Sequence, residues 1–127
     1  MELKTGIKGR ETWTVTSERT ADKVGSGGLP VFATPMMIGM IEKACFDSVQ
    51  PYLEEGKGTV GTHVNVSHLA ATPVGMKVTA ECELIEIDGR RLVFKVSARD
   101  ERGLIGEGTH ERFIIDTVKF LAKTNNK

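Results

Sequence analysis

Thr34-Pro-Met-Met-Ile-Gly-Met-Ile-Glu42-Lys-Ala-Cys45-Phe-Asp-Ser-Val-Gln50-Pro51 is the stretch whose periodicity decides the fold. Met37, Ile41, Ala44 and Ser48 share one line of a helix, and Ile38, Cys45 and Val49 lie beside it. Together they make a broad apolar band of helical period. Thr34 is a favourable N-cap and Pro35 fits the first helical position, where its missing N–H costs nothing. Gln50-Pro51 marks the end, because proline restricts the residue before it and cannot continue the ladder. Apart from Glu42, Lys43 and Asp47, nearly every side of this helix is apolar or small, so it should lie buried against a sheet.

Working outward, the flanks read as strands. On the N-terminal side, Glu11 to Ser17 alternates Trp13 and Val15 with threonines, the two-residue period of a half-buried strand. Between it and the helix, Val24-Gly-Ser-Gly-Gly-Leu-Pro30 carries three glycines and a proline, which suits a loop or lid. On the C-terminal side the turn Glu55-Gly-Lys-Gly58 precedes a strand with Val64, Val66 and His68 on one face. Met76, Val78, Ala80, Cys82 and Leu84 follow after the turn at Thr72 to Gly75, and the phase then shifts to Ile85 and Ile87, the mark of a bulge. Asp88-Gly89 supplies a hairpin turn into Leu92, Phe94, Val96 and Ala98. A second turn near Gly103 leads into Leu104 to Ile115, and Asp116 to Ala122 suits a short terminal helix before a polar tail. Strand, helix, then a meander of about four strands is an α+β order in which an antiparallel sheet covers one long helix. The 127 residues fit a single domain, 1–127, without repeat or linker.

Charge and composition remove whole classes of function. Lys plus Arg and Asp plus Glu number 17 each, leaving no basic excess for nucleic acid. No apolar run reaches the length of a signal or a membrane span, so a soluble cytoplasmic protein is expected. Cys45 and Cys82 are far apart in the chain and form no metal-type or redox-type motif, which reads as two reduced, buried thiols.

The residues that carry chemistry are few. Glu42 interrupts an apolar helix, where a carboxylate is costly unless paired, solvated or protonated; the plain alternative is an exposed helix edge shared with Lys43 and Asp47. His68 shares a face with Val64 and Val66 and should point toward the helix, as a base or as a satisfied core histidine. His63 falls on the opposite face and His110 far along the chain, so no metal site is expected. Thr34 is explained by capping alone, although the same helix start offers N–H groups at Met36 and Met37 that suit an oxyanion. Arg90, Arg91 and Arg112 suit phosphate groups.

The segments Phe32-Ala-Thr34-Pro-Met-Met-Ile-Gly-Met-Ile-Glu42-Lys-Ala-Cys45, Pro51-Tyr-Leu-Glu54, Gly58-Thr-Val-Gly61-Thr62 and Val66-Ser-His68-Leu-Ala-Ala-Thr-Pro-Val-Gly75 resemble the fluoroacetyl-coenzyme A thioesterase branch of the hotdog superfamily. So do Glu86-Ile-Asp-Gly-Arg-Arg-Leu92 and Gly108-Thr-His-Glu-Arg112. The resemblance implies a hotdog fold and hydrolysis of a short or unusual acyl-coenzyme A. It assigns catalysis to Thr34, Glu42 and His68 and a substrate contact to Gly61; Met36, Met37 and Arg112 complete the expected substrate-binding set. No cofactor is implied, since coenzyme A belongs to the substrate. The implied assembly is a homodimer, with a dimer of dimers as the larger form compatible with it. The chain departs from the branch in its lid, where Gly25 to Pro30 contains no aromatic residue. The competing expectation is a hotdog module that binds an acyl-coenzyme A without catalysis.

Overall fold

A computed structural model describes residues 2–127. Strand β1 spans Lys8–Thr14, the short helix α1 Ala21–Val24 and the long helix α2 Thr34–Val49. Strands β2 (Lys57–His68), β3 (Lys77–Asp88), β4 (Arg91–Asp100) and β5 (Gly103–Asp116) follow, and helix α3 (Thr117–Asn125) closes the chain. The five strands form one antiparallel sheet in the order β1-β3-β4-β5-β2, and α2 packs against β1, β3, β2 and β4.

The core follows the two periods read from the sequence. Met37, Met40, Ile41, Ala44, Cys45 and Val49 of α2 are buried. They meet Val78, Ala80, Cys82 and Leu84 of β3 and Leu92, Phe94, Val96 and Ala98 of β4 in one apolar cluster. The phase shift at Ile85 is a bulge between Leu84 and Glu86, which turns Ile85 and Ile87 outward. The helix ends at Val49 and tightens into a single 3-10 turn through Pro51.

Three expectations are corrected. The first strand lies at Lys8–Thr14 instead of Glu11 to Ser17, and Val15 is buried just beyond its end. Its beginning carries no apolar signal because Gly9 lies directly under α2. A Cβ there would meet the Ala44 carbonyl oxygen at 2.6 Å and Ser48 Cβ at 2.7 Å, so only glycine lets strand and helix approach this closely. The strands after the helix are not a four-strand meander: only β3, β4 and β5 are consecutive neighbours, and β2 crosses to the far edge to pair with β5. Thr34 lies inside the first turn, and Ala33, with extended backbone, is the residue that caps α2. Cys45 and Cys82 are free and buried, as expected, and face each other across the α2–β3 contact. The adjoining Cys82 thiol, followed by burial, pushes the Cys45 thiol far above its usual range. Such a thiol is a poor nucleophile.

The terminal helix begins one residue past Asp116, whose carboxylate accepts from the Lys119 N–H at 3.1 Å, and it extends into the stretch expected to be a tail. The glycine-rich segment begins with α1, which Gly25 ends in the left-handed conformation, and continues as exposed chain to Pro30.

Candidate active site

Because Thr34 is not the cap, its hydroxyl is available for another partner. Thr34 Oγ1 lies 2.7 Å from His68 Nδ1, joining the start of α2 to the last residue of β2. The other ring nitrogen, His68 Nε2, is buried and has no hydrogen-bond partner. A buried polar atom without a protein partner calls for a water, an ion or a ligand. Burial pushes His68 below the ordinary imidazole value, partly offset by the Ala70 backbone carbonyl, so the ring is neutral at pH 7. When Thr34 donates to Nδ1, Nε2 holds the proton; when it accepts, Nε2 offers a lone pair. The two residues line a concavity of about 330 Å³ whose other walls are Ala21, Ser26, Val31, Phe32 and Leu69 to Ala71.

Glu42, two helical turns along, belongs to a second cluster. Its Oε2 is 3.5 Å from Arg112 Nη1 and 4.0 Å from His110 Nε2, and the side chain keeps 40% of its exposure. Lys43 and Asp47, the neighbours that an ordinary polar helix edge would share with it, instead pair with each other at 2.6 Å. The carboxylate thus faces a buried guanidinium and opens to solvent on its other side, in a concavity shared with Gly39, Lys43, Phe46, Asp47 and Arg112.

Gly61 completes this cluster by having no side chain. A Cβ on Gly61 would fall 2.6 Å from Glu42 Oε2 and 3.3 Å from both Arg112 Nη1 and His110 Cε1. Glycine lets β2 close over the carboxylate.

The structure therefore joins Thr34 to His68 and Glu42 to Gly61 and Arg112, two clusters about two turns apart along one helix. Other expectations change. The N–H groups of Met36 and Met37 both point to the Ala33 carbonyl at 3.0 Å, so neither is an open oxyanion donor. The Met37 side chain is fully buried against the sheet. Arg91 is taken by Glu111 at 2.8 Å and Glu86 at 3.2 Å, and Arg90 stacks on Phe113. Arg112, only 6% exposed, is turned toward Glu42 and lines the same concavity. Sequence reasoning set His110 aside, yet it is fully buried beside Glu42. The legible signal was the inward face of β5, where Thr109-His110-Glu-Arg112 puts two cationic residue types at positions that alternation assigns to the core.

One five-stranded antiparallel sheet packed on one long helix is the architecture of the hotdog-fold thioesterases. A family described as fluoroacetyl-CoA-specific thioesterase matches residues 15–118, and the chain belongs to it. The fluoroacetyl-CoA thioesterase of Streptantibioticus cattleyicolor is 50% identical over 97 residues, 76% of this chain and 70% of that protein. A solved structure of the fluoroacetyl-CoA thioesterase superposes with a TM-score of 0.93 at 39% identity, covering 100% of this chain and 98% of the other. A Thermus thermophilus member of the thioesterase superfamily gives 0.89 at 31% identity, covering 98% and 92%. The chain is accordingly an acyl-CoA thioesterase, and the reading as a module that only binds acyl-CoA is set aside.

Proposed function

We propose that Thr34, Glu42 and His68 carry the hydrolysis and that the acyl groups accepted are short and not restricted to fluoroacetyl. The observation that supports the site most directly is the Thr34–His68 bond of 2.7 Å with Nε2 left open. A thioester bound across the first two turns of α2 meets Thr34 and His68 at one end and the Glu42 carboxylate at the other, about 12 Å of axial rise shortened by the backward tilt of the Glu side chain. Two routes share this geometry. In one, Glu42 attacks the carbonyl, coenzyme A leaves as the thiolate, and water then cleaves the acyl–Glu42 anhydride. In the other, Glu42 takes a proton from a water as that water attacks, and the proton passes to the departing thiolate. His68 manages the proton in both, and Arg112 and Gly61 contact the substrate beside the carboxylate.

Breadth of substrate is supported by the walls of the concavity beside His68, where Ala21, Ala70 and Ala71 leave room and the Gly25 to Pro30 stretch places no aromatic ring over it. A homodimer is supported by β2. This twelve-residue edge strand has a neighbour on one side only, and its Gly61 to Asn65 stretch is exposed beside Glu42. Such an edge needs a cover, and pairing there sets the site at the subunit boundary. No helix among the described residues is long and apolar enough to cross a membrane, which agrees with work in the cytoplasm.

Thiol release from acetyl-, propionyl-, butyryl- and fluoroacetyl-CoA, measured for the wild type and Glu42→Gln, tests the proposal. Glu42→Gln should retain the fold and lose at least about 100-fold in turnover, close to 3 kcal/mol. Near-normal turnover by a folded Glu42→Gln protein would end the mechanism. A fluoroacetyl preference of about a thousandfold would end the claim of breadth.

A further inference from the structure

His110 is the one fully buried histidine, and the mechanism gives it no role. Its Nδ1 lies 2.8 Å from the His63 carbonyl oxygen, which can only accept, so Nδ1 carries the proton. The neutral ring then presents a lone pair at Nε2, 3.2 Å from Arg112 Nη1, a group that can only donate. Thr59 takes the rest of the guanidinium, with Nε donating to its hydroxyl at 2.9 Å and Nη2 to its carbonyl at 3.0 Å. Three acceptors on β2 and β5 thus fix the Arg112 plane, and Phe46 covers one face at 5.7 Å. The remaining direction of Nη1 is toward Glu42 Oε2 at 3.5 Å.

We propose that His110, as the Nδ1–H tautomer, is a positioning residue: with Thr59 it locks the Arg112 guanidinium, and Arg112 in turn holds the Glu42 carboxylate at the reacting position. This rests on the reading of Glu42 as the reacting carboxylate. The arrangement requires an uncharged ring, since a proton on Nε2 would set two cations against each other. The surroundings agree: burial first, and the Arg112 charge with it, keep His110 below the ordinary imidazole value, against the opposite pull of the His63 carbonyl, Glu42 and Glu111. Phe94, stacked on the ring from β4 at a centroid distance of 6.4 Å, contributes no charge.

The test compares His110→Asn with His110→Gln. The shorter amide keeps a donor for the His63 carbonyl but loses the acceptor for Arg112, whereas the longer amide reaches the Arg112 side. His110→Asn should lower kcat by about tenfold or more with KM within about threefold, and His110→Gln should recover most of the loss. Repeating His110→Asn in the Glu42→Gln background should produce little further loss, because the carboxylate it positions is already gone. If His110→Asn does not fold, Thr59→Val, which deletes one Arg112 acceptor at constant shape, should give the same kcat-selective, non-additive loss. A folded His110→Asn protein with wild-type kcat overturns the proposal, as does an equal loss in both backgrounds. Normal turnover by Glu42→Gln alone would instead overturn the reading on which the proposal rests.

Discussion

Gly61→Ala separates activity from stability more cleanly than removal of any catalytic group. The new Cβ would fall 2.6 Å from Glu42 Oε2, whereas ordinary contact begins near 3.4 Å, so the carboxylate must retreat by about 0.8 Å. Arg112 and His110 at 3.3 Å are tighter than comfortable but need give only slightly. The carboxylate is the free end of a flexible, partly exposed side chain and can move at little cost to the fold. Alanine in the strand also lowers the entropy of the unfolded chain, worth about 0.5 kcal/mol or more in favour of folding. Misplacement of a reacting group by about 1 Å costs on the order of 100-fold in rate, so kcat should fall by roughly ten- to 100-fold. Thiol release with acetyl-CoA, set beside thermal unfolding of the same preparation, reads both quantities. An unchanged or raised Tm with strongly reduced kcat is the expected result. A folded Gly61→Ala protein with wild-type kcat would refute the assignment of the observed Glu42 position as the reacting one.

Thr34→Ser keeps the hydroxyl facing His68 and should retain most activity, while Thr34→Ala should lose at least about tenfold in kcat yet forgo none of the roughly 1 kcal/mol that loss of an N-cap costs, because Ala33 occupies the cap position. A Tm drop of cap size in Thr34→Ala would count against this reading of the helix start. Stability should also depend on pH, because burial holds both His68 and His110 below the ordinary imidazole value. The unfolded chain then binds more protons below about pH 6.5, so the stability of the neutral-ring state is complete above that pH and is lost as pH falls toward the lowered folded values. Calorimetry should show Tm declining from about pH 7 to pH 5, and declining less in His110→Gln; a flat profile in the wild type would contradict it.

The sequence by itself determined the elements and the core. A helical band from Met37 to Val49, alternation in β3 and β4 and the bulge at Ile85 were all legible, because side-chain periodicity is a local property of the backbone that carries it. Glu42 and His68 were visible for the same reason, as polar residues at positions the pattern assigns to the interior. Where sequence reading went wrong, the deciding contact was distant in the chain. The start of β1 was hidden because Gly9 reports closeness to α2 only through the absence of a side chain. The helix cap was placed on Thr34 because capping is a local habit, whereas the residue facing its hydroxyl stands thirty-four residues away in sequence at the end of β2. The edge position of β2 followed from its pairing with β5, a long-range choice that no local pattern encodes. That same pairing brings Thr59, Gly61, His110 and Arg112 around the Glu42 carboxylate. The chain supplies these groups in two segments about fifty residues apart, and only the pairing of β2 with β5 makes them one cluster.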